Sequence, residues 1–424
     1  MRRLIERFYK LSPVKRAIVV MLGLFIFSLA VTIYSFYNMA NAVRMLMNNN
    51  DQPMVYMKTG QLKERVKGPF VPERVLQAID ALDYLQNQGE KLQAKSKNST
   101  DPYVDFSKVE QATINEINQK ILEFDALKWE ELNLFSTHQI DPFTQSPELI
   151  NLRKVRLAAR LMSSYMEFFK KQNPQKSSGF ILSANLKLAS FTEITNPYLI
   201  GKMVAIAVAN VAVEPFARCV KGAGDLNLPK ESILDLNLIS AVEAAELHEI
   251  IMTSLKLEIP FRHFLESEYV FFKHFSAKIY EKAPLAAYLL TLIFGNPDGE
   301  YRKVINHPND KELLMKTLHG WKHPVLLIAV PNFTRAYEVF SERQAKRAVL
   351  AAELADIAGI SEKVSDPLAP EAANSILSLE EDGKIRFYSV GKNGIDDKMN
   401  NDDISLYPDK TEGGAPLTGN VSGK

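Results

Sequence analysis

From Pro72 onward apolar residues return every three or four positions, the period of one helix face. Val75, Ile79, Leu82 and Leu85 form the first such stripe, behind Pro72, whose fixed φ and missing N–H suit a first helical turn. A second stripe uses Val109, Thr113, Ile117, Ile121 and Phe124, and a third uses Ile150, Val155, Ala158, Leu161, Met162, Tyr165 and Phe169. Asn196 followed by Pro197 reads as an N-cap and first-turn pair for the next helix. Behind them Met203 to Val213 is apolar on every side except at Asn210, the pattern of a helix enclosed by others. Further helices are expected over 231–255, 262–280, 284–294, 309–319 and about 332–358, joined by short loops such as "AGDLNLPK" and "GNPDGE". Short connections make consecutive helices antiparallel neighbours, so the expected fold class is mainly α: stacked helical hairpins, solenoid-like or as a bundle. No repeat with a period of about 34 or 40 residues recurs.

Past Gly359 the period changes to two. "SILSLEEDGKIRFYSV" reads as two short strands around an "EEDG" turn, and "DISLY" as a third, giving a small C-terminal antiparallel hairpin or meander. The end, 408–424, has no apolar periodicity and reads as a disordered tail.

The N-terminus carries a different signal. "MRRLIERFYKLSPVKR" holds six basic residues and one acid, and Ala17 to Tyr37 then runs 21 residues without a charge. At about 1.5 Å per residue that run covers roughly 30 Å, the hydrocarbon thickness of a bilayer. Tyr34, Phe36 and Tyr37 stand where an interfacial aromatic belt would lie, and the basic flank belongs on the cytoplasmic side. The competing reading is a cleaved signal peptide ending in "ANA" at Ala40 to Ala42, but the apolar run exceeds the usual length of one. The expected layout is therefore a cytoplasmic basic segment at 1–16, a transmembrane signal anchor at 17–37 and a linker at 38–71. An exported helical domain follows at 72–358, then a small β element with an acidic loop at 359–407.

Composition narrows the chemistry. Fifty-one basic residues against fifty acidic ones leave a net charge of +1, which excludes the basic face of a nucleic-acid binder. The lone Cys219 excludes an intramolecular disulfide framework and any cysteine-rich zinc site. "HEIIM" at His248 lacks the second histidine of a zincin helix, and His319 and His323 are separated by Gly320 with Pro324 behind them. His263 and His274 sit among five phenylalanines and read as core. No G-x-S-x-G elbow, P-loop or G-x-G-x-x-G is present. Glu243 and Glu246 read as solvated, and no carboxylate pair suggests acid–base chemistry.

What remains is the loop between the last strands. Asn393 to Asp403 packs four aspartates and three asparagines into eleven residues. A hard cation such as calcium takes six to eight oxygens from carboxylates, amides, carbonyls and water. Asn393, Asp396, Asp397, Asp402 and Asp403 are the candidate ligands, with Gly391 and Gly394 permitting a tight wrap. The spacing is not that of an EF-hand, and a solvated Asx-rich turn is the other reading.

"YSVGKNGIDD" followed by "DDI" resembles the C-terminal calcium-binding loop of the major pseudopilins of type II secretion. By motif position, that resemblance places Asn393 at the family's first acidic ligand and Asp403 at the acid before the isoleucine. It spans about forty residues, from "SDPLAP" onward, and the prepilin signature is missing upstream of Ala17. The whole layout is similar to a group of uncharacterised bacterial membrane-anchored proteins, which join a helical region (compare "YLIGKMVAIAV") to a tail of this kind. These resemblances imply a single-pass inner-membrane protein with calcium as a structural ion. The expected role is an exported interaction or assembly module of the envelope, with a protein partner there; the alternative is an exported hydrolase.

Overall fold

In the computed structural model of the chain the apolar stripes become helices packed on one another. Residues 56–57, 71–95, 104–135, 149–220, 239–282, 295–306, 333–369 and 375–406 are described, apart from 197, 382–383, 392–393 and 400–401, with scattered residues of 12–41 and 284–293. Helix α1, Glu73–Lys95, starts behind Pro72, whose carbonyl accepts the Val75 N–H at 2.9 Å, and it buries Val75, Ile79, Leu82 and Leu85. Helix α2, Gln111–Asp125, buries Ile114, Ile117, Ile121 and Phe124. Its stripe therefore starts at Ile114. Val109 lies outside it, closing the tight turn Phe106–Lys108 with its N–H on the Phe106 carbonyl, and Thr113 is half-buried.

Helix α3, Leu152–Gln172, is opened by Asn151, whose side chain accepts the Lys154 N–H at 3.1 Å. Lys170 and Lys171 lie in its last turn, where the exposed carbonyl ends favour cations. A Cβ at Gly89 of α1 would stand 2.8 Å from the Leu157 carbonyl oxygen of α3, so the bare glycine is what lets the two helices cross this closely.

Helix α4, Gly179–Thr195, occupies the centre and packs against α2, α3, α5 (Leu199–Val220) and α6 (Ala241–Leu257). The sequence points to Met203–Val213 of α5 for that place because α4 is studded with polar residues. Most of their polar groups find partners within the packed helices, although the Asn185 Oδ1 is buried without one. Thr192 and Thr195 hydroxyls donate to the Leu188 and Phe191 carbonyls at 2.7 Å each, and Asn185 donates to the Ala159 carbonyl at 3.2 Å. Asn196, expected to open α5, instead closes α4: its N–H and its side-chain amide both reach the Thr192 carbonyl, at 3.1 and 3.2 Å.

Beyond these lie α7 (Phe261–Lys282), α8 (Pro297–Asn306) and α9 (Phe333–Ala358). The chain divides into two compact units: 1–55, 140–147 and 265–333 form one, and 56–139, 148–264 and 334–424 the other. The division cuts the stretch 72–358 into parts of both. In the first unit Tyr301 of α8 is fully buried, stacked on Phe272 of α7 at 5.4 Å and donating to the Leu265 carbonyl at 3.3 Å. His263, read as core from its phenylalanine neighbours, is exposed because Phe261 and Phe264 take the inward positions.

In the second unit a two-residue parallel pair joins β1, Tyr56–Met57, to β2, Leu149–Ile150, so a stretch read as linker holds a strand. The C-terminal sheet is antiparallel in the order β3 (Leu377–Glu381), β4 (Lys384–Ser389), β5 (Ile404–Ser405). Pairing of Glu381 with Lys384 leaves Asp382-Gly383 as the connection, a favoured pair for a two-residue hairpin. Two carboxylates tie the sheet to α9 and to the segment that follows it. Glu353 of α9 accepts the Phe387 N–H at 3.1 Å, and buried Asp366 accepts the Ser389 hydroxyl at 2.8 Å and the Val390 N–H at 3.0 Å.

Among the described residues no helix is long and apolar enough to cross a membrane. The expected anchor at 17–37 lies mostly outside the described residues. Those of its positions that are described, Val20 to Leu22, Ile33, Tyr34 and Tyr37, are helical and exposed.

Candidate functional site

The acidic loop hangs between β4 and β5. Gly391 opens it with φ +67°, and a Cβ there would lie 2.1 Å from the Asp402 carbonyl oxygen, so only glycine allows the two loop ends to close on each other. Lys398 and Met399 hold φ of 55° and 65°, a region side-chain-bearing residues adopt at a cost. The Asp403 carboxylate holds them there: its Oδ2 accepts the N–H groups of Asp397 and Met399 at 3.1 and 2.9 Å. Asp396 accepts the Tyr388 hydroxyl at 2.9 Å and the Lys398 N–H at 3.0 Å. Burial, together with that bond to Asp396, holds the Tyr388 phenol well above its usual range.

Asp403 is the unusual group. Its Oδ1 is buried with no hydrogen-bond partner. Burial, with the charges of Asp397 and Asp396 adding to it against the two N–H bonds, pushes its pKa up to about 6. Of the five candidate ligands the structure thus brings Asp396, Asp397, Asp402 and Asp403 into one loop, and Asn393 lies outside the described residues. Among the described residues no three His, Cys, Asp or Glu groups converge as a metal site, because Asp396 and Asp403 turn oxygens toward backbone N–H groups of their own loop.

Two features escaped the sequence reading. The first is a buried ion cluster. Lys202 of α5 is fully buried and pairs with Glu193 of α4 and with Glu258, at 3.0 Å to the latter, while its ammonium also donates to the Ile259 carbonyl at 3.2 Å. Arg347 and Gln344 of α9 donate to the other Glu258 oxygen at 2.7 and 2.9 Å. The Phe340 and Phe264 rings approach Lys202 at 4.5 and 5.1 Å. Burial raises the Glu193 pKa, with the Glu258 charge reinforcing it against the pull of Lys202. Glu258 is also desolvated, but Arg347 and Lys202 outweigh that and hold it below the usual carboxylate range. A single lysine inside "LIGKMVAIAV" was the available signal. A second buried pair, Lys170 with Glu243 at 2.8 Å, corrects the solvated reading of Glu243. Ser240 caps α6 by accepting the Glu243 N–H, and the Glu243 carboxylate turns away to Lys170 and the Ser178 N–H and hydroxyl.

The second is a cleft of about 570 Å³ between α6, α9 and the irregular segment that follows α9, lined by His248, Glu249, Lys256, Glu362 and Ser365 among others. His248 Nδ1 lies 2.8 Å from the Ala351 carbonyl oxygen. A carbonyl can only accept, so the neutral ring carries its proton on Nδ1 and keeps Nε2 as the acceptor.

Comparison with protein-family models, curated proteins and solved structures returns no match, so any functional reading rests on this geometry and the sequence.

Proposed function

We propose that the chain is a single-pass bacterial inner-membrane protein. Residues 17–37 anchor it, the N-terminus is cytoplasmic, and the exported helical region serves as an interaction or assembly module of the envelope. The observation that carries the reading is the uncharged run Ala17–Tyr37 behind six basic residues. The bare apolar side chains at Met21, Ile33 and Tyr34 support it, since water is a poor neighbour for them and lipid a good one. The helices stack as hairpins around α4, and the buried charges Lys170, Lys202, Glu193 and Glu243 are spent on ion pairs between helices, as in a scaffold. The pseudopilin-like tail links that scaffold to secretion, and its partner is an envelope protein. Carbonate extraction of bacterial membranes tests the anchoring: the full chain should stay in the pellet, and a chain lacking 1–42 should leave it. Release of the full chain would overturn the reading.

In the same reading the acidic loop takes calcium as a structural ion, through Asn393, Asp396, Asp397, Asp402 and Asp403. The partnerless Asp403 Oδ1, and a pKa raised by burial with the Asp397 and Asp396 charges adding to it, support this, because a cation would partner the oxygen and favour the charged carboxylate. Extracytoplasmic calcium sites commonly bind at about 0.1–1 mM, so a weak site fills there. Calorimetric titration with calcium, beside an Asp397→Ala, Asp403→Ala variant, should give heat in the parent alone. Equal heats would leave a plain polar turn.

A second reading, an exported hydrolase, has one observation in its favour: the His248 ring, oriented by the Ala351 carbonyl at the edge of a concave cleft that also holds Glu249 and Glu362. An ester or amide substrate panel that His248→Gln silences would establish it. Equal turnover by both chains would exclude His248 as the base.

A further inference from the structure

Pro284 to Phe294, "PLAAYLLTLIF", sits in an uncharged stretch that runs from Ala283 to Pro297. As a helix, eleven residues cover about 16 Å, half the roughly 30 Å of a bilayer's hydrocarbon core. An apolar run of this length either fills a protein core or lies in a membrane interface. Burial separates the two. Tyr288, Leu292 and Ile293 are helical and 66, 69 and 64% exposed, and Pro284 is exposed one turn before Tyr288. Leu292 follows Tyr288 by one turn and Ile293 widens the face, so bare apolar groups cover a broad arc. Soluble surfaces seldom leave such a contiguous arc uncovered.

What covers it is indicated by its place in the fold. Residues 265–333 fall in the same compact unit as 1–55, the stretch that holds the anchor. Tyr288 is of the type that sits at the level of the headgroups, with its ring in the apolar layer and its hydroxyl in the wet one. We infer that the helical face of Tyr288, Leu292 and Ile293 lies in the outer interface of the bilayer beside the anchor, a second membrane contact that does not cross. The inference rests on the reading of 17–37 as the anchor. Its consequence is that the exported region is held down at two points.

The test uses the full chain in proteoliposomes, with Cys219→Ser as background and single cysteines carrying an environment-sensitive fluorophore. Met21→Cys reports on the anchor, Leu292→Cys on the proposed face, and Glu249→Cys on an exposed position of the other unit. Spin-labelled lipids should quench the probes at 21 and 292 several-fold more than the one at 249. Quenching at 21 with 292 behaving like 249 would overturn the second contact and leave the anchor standing. Quenching at 292 without 21 would support the contact and overturn the anchor. A probe at 292 that is blue-shifted yet untouched by the lipid quencher means another protein surface covers it, and overturns the inference.

Discussion

Lys202→Met tests the buried ion cluster most sharply. Methionine keeps most of the side chain's volume and removes the ammonium that bonds Glu193, Glu258 and the Ile259 carbonyl. Glu258 keeps Arg347 and Gln344, so Glu193 bears the loss, retaining the Ile259 N–H at 3.2 Å. Removing one partner of a buried pair costs about 3–5 kcal/mol, far more than an exposed pair is worth. At about 2–4 °C per kcal/mol for a unit of this size, the melting midpoint should fall on the order of 10 °C. The sign with pH follows from the raised Glu193 pKa. Without Lys202 it rises further, so the folded variant binds a proton that the unfolded chain releases, and the variant regains stability as pH falls through that raised value. The gap between parent and variant should therefore narrow toward acid and widen toward neutral pH, and Glu193→Gln placed on Lys202→Met should close much of it. Thermal melts of the solubilised full chain, followed by circular dichroism across that range, measure both effects. A shift of under about 2 °C, or a gap indifferent to pH, would refute a cluster that binds the helices together.

The other predictions are smaller in reach. Asp366→Ala unhooks the Ser389 hydroxyl and the Val390 and Leu368 N–H groups, at about 1.5–3 kcal/mol per bond to a charged acceptor, so amide exchange should quicken in β4 and leave α4 unchanged. Lys170→Met should lower the midpoint through Glu243, and Glu243→Gln on that background should restore part of it, as heat scans would record. For the acidic loop the Asp403 pKa near 6 lies above the unfolded value. Its contribution to loop stability should be fully present below about pH 4 and lost as pH rises through 6, and calcium should cancel that loss; exchange rates at Asp397 and Met399 follow it.

The helical stripes were readable because they are written in apolar residues at a fixed period, and α1 buries the four positions its pattern names. The β3–β4 hairpin was readable for the same reason, with Asp-Gly in the sequence between the strands. The centre of the helical packing was not. Lys187, Glu193, Thr192 and Thr195 make α4 look amphipathic at best, while all four are buried: Lys187 and Glu193 against Asp125 and Lys202, partners only the fold supplies, and the threonines by bonding carbonyls one turn back. Asn196 misled because a buried amide can end a helix as readily as open one. The acidic loop was legible as a cluster of oxygens, but which oxygens its own backbone occupies depended on the left-handed turn at Lys398 and Met399. His248 gained its interest from Ala351, over a hundred residues away.

The orientation of the chain in the membrane decides the central claim, because the calcium loop, the envelope partner and the outer-leaflet contact all require export. Alkaline phosphatase fused after Lys424 reports it, since that enzyme becomes active only outside the cytoplasm. Strong activity in intact cells, abolished when the Arg2, Arg3, Arg7, Lys10, Lys15 and Arg16 charges are moved to the far side of Tyr37, is the predicted result. An inactive fusion in cells that express it well would place the helical region in the cytoplasm and contradict the account.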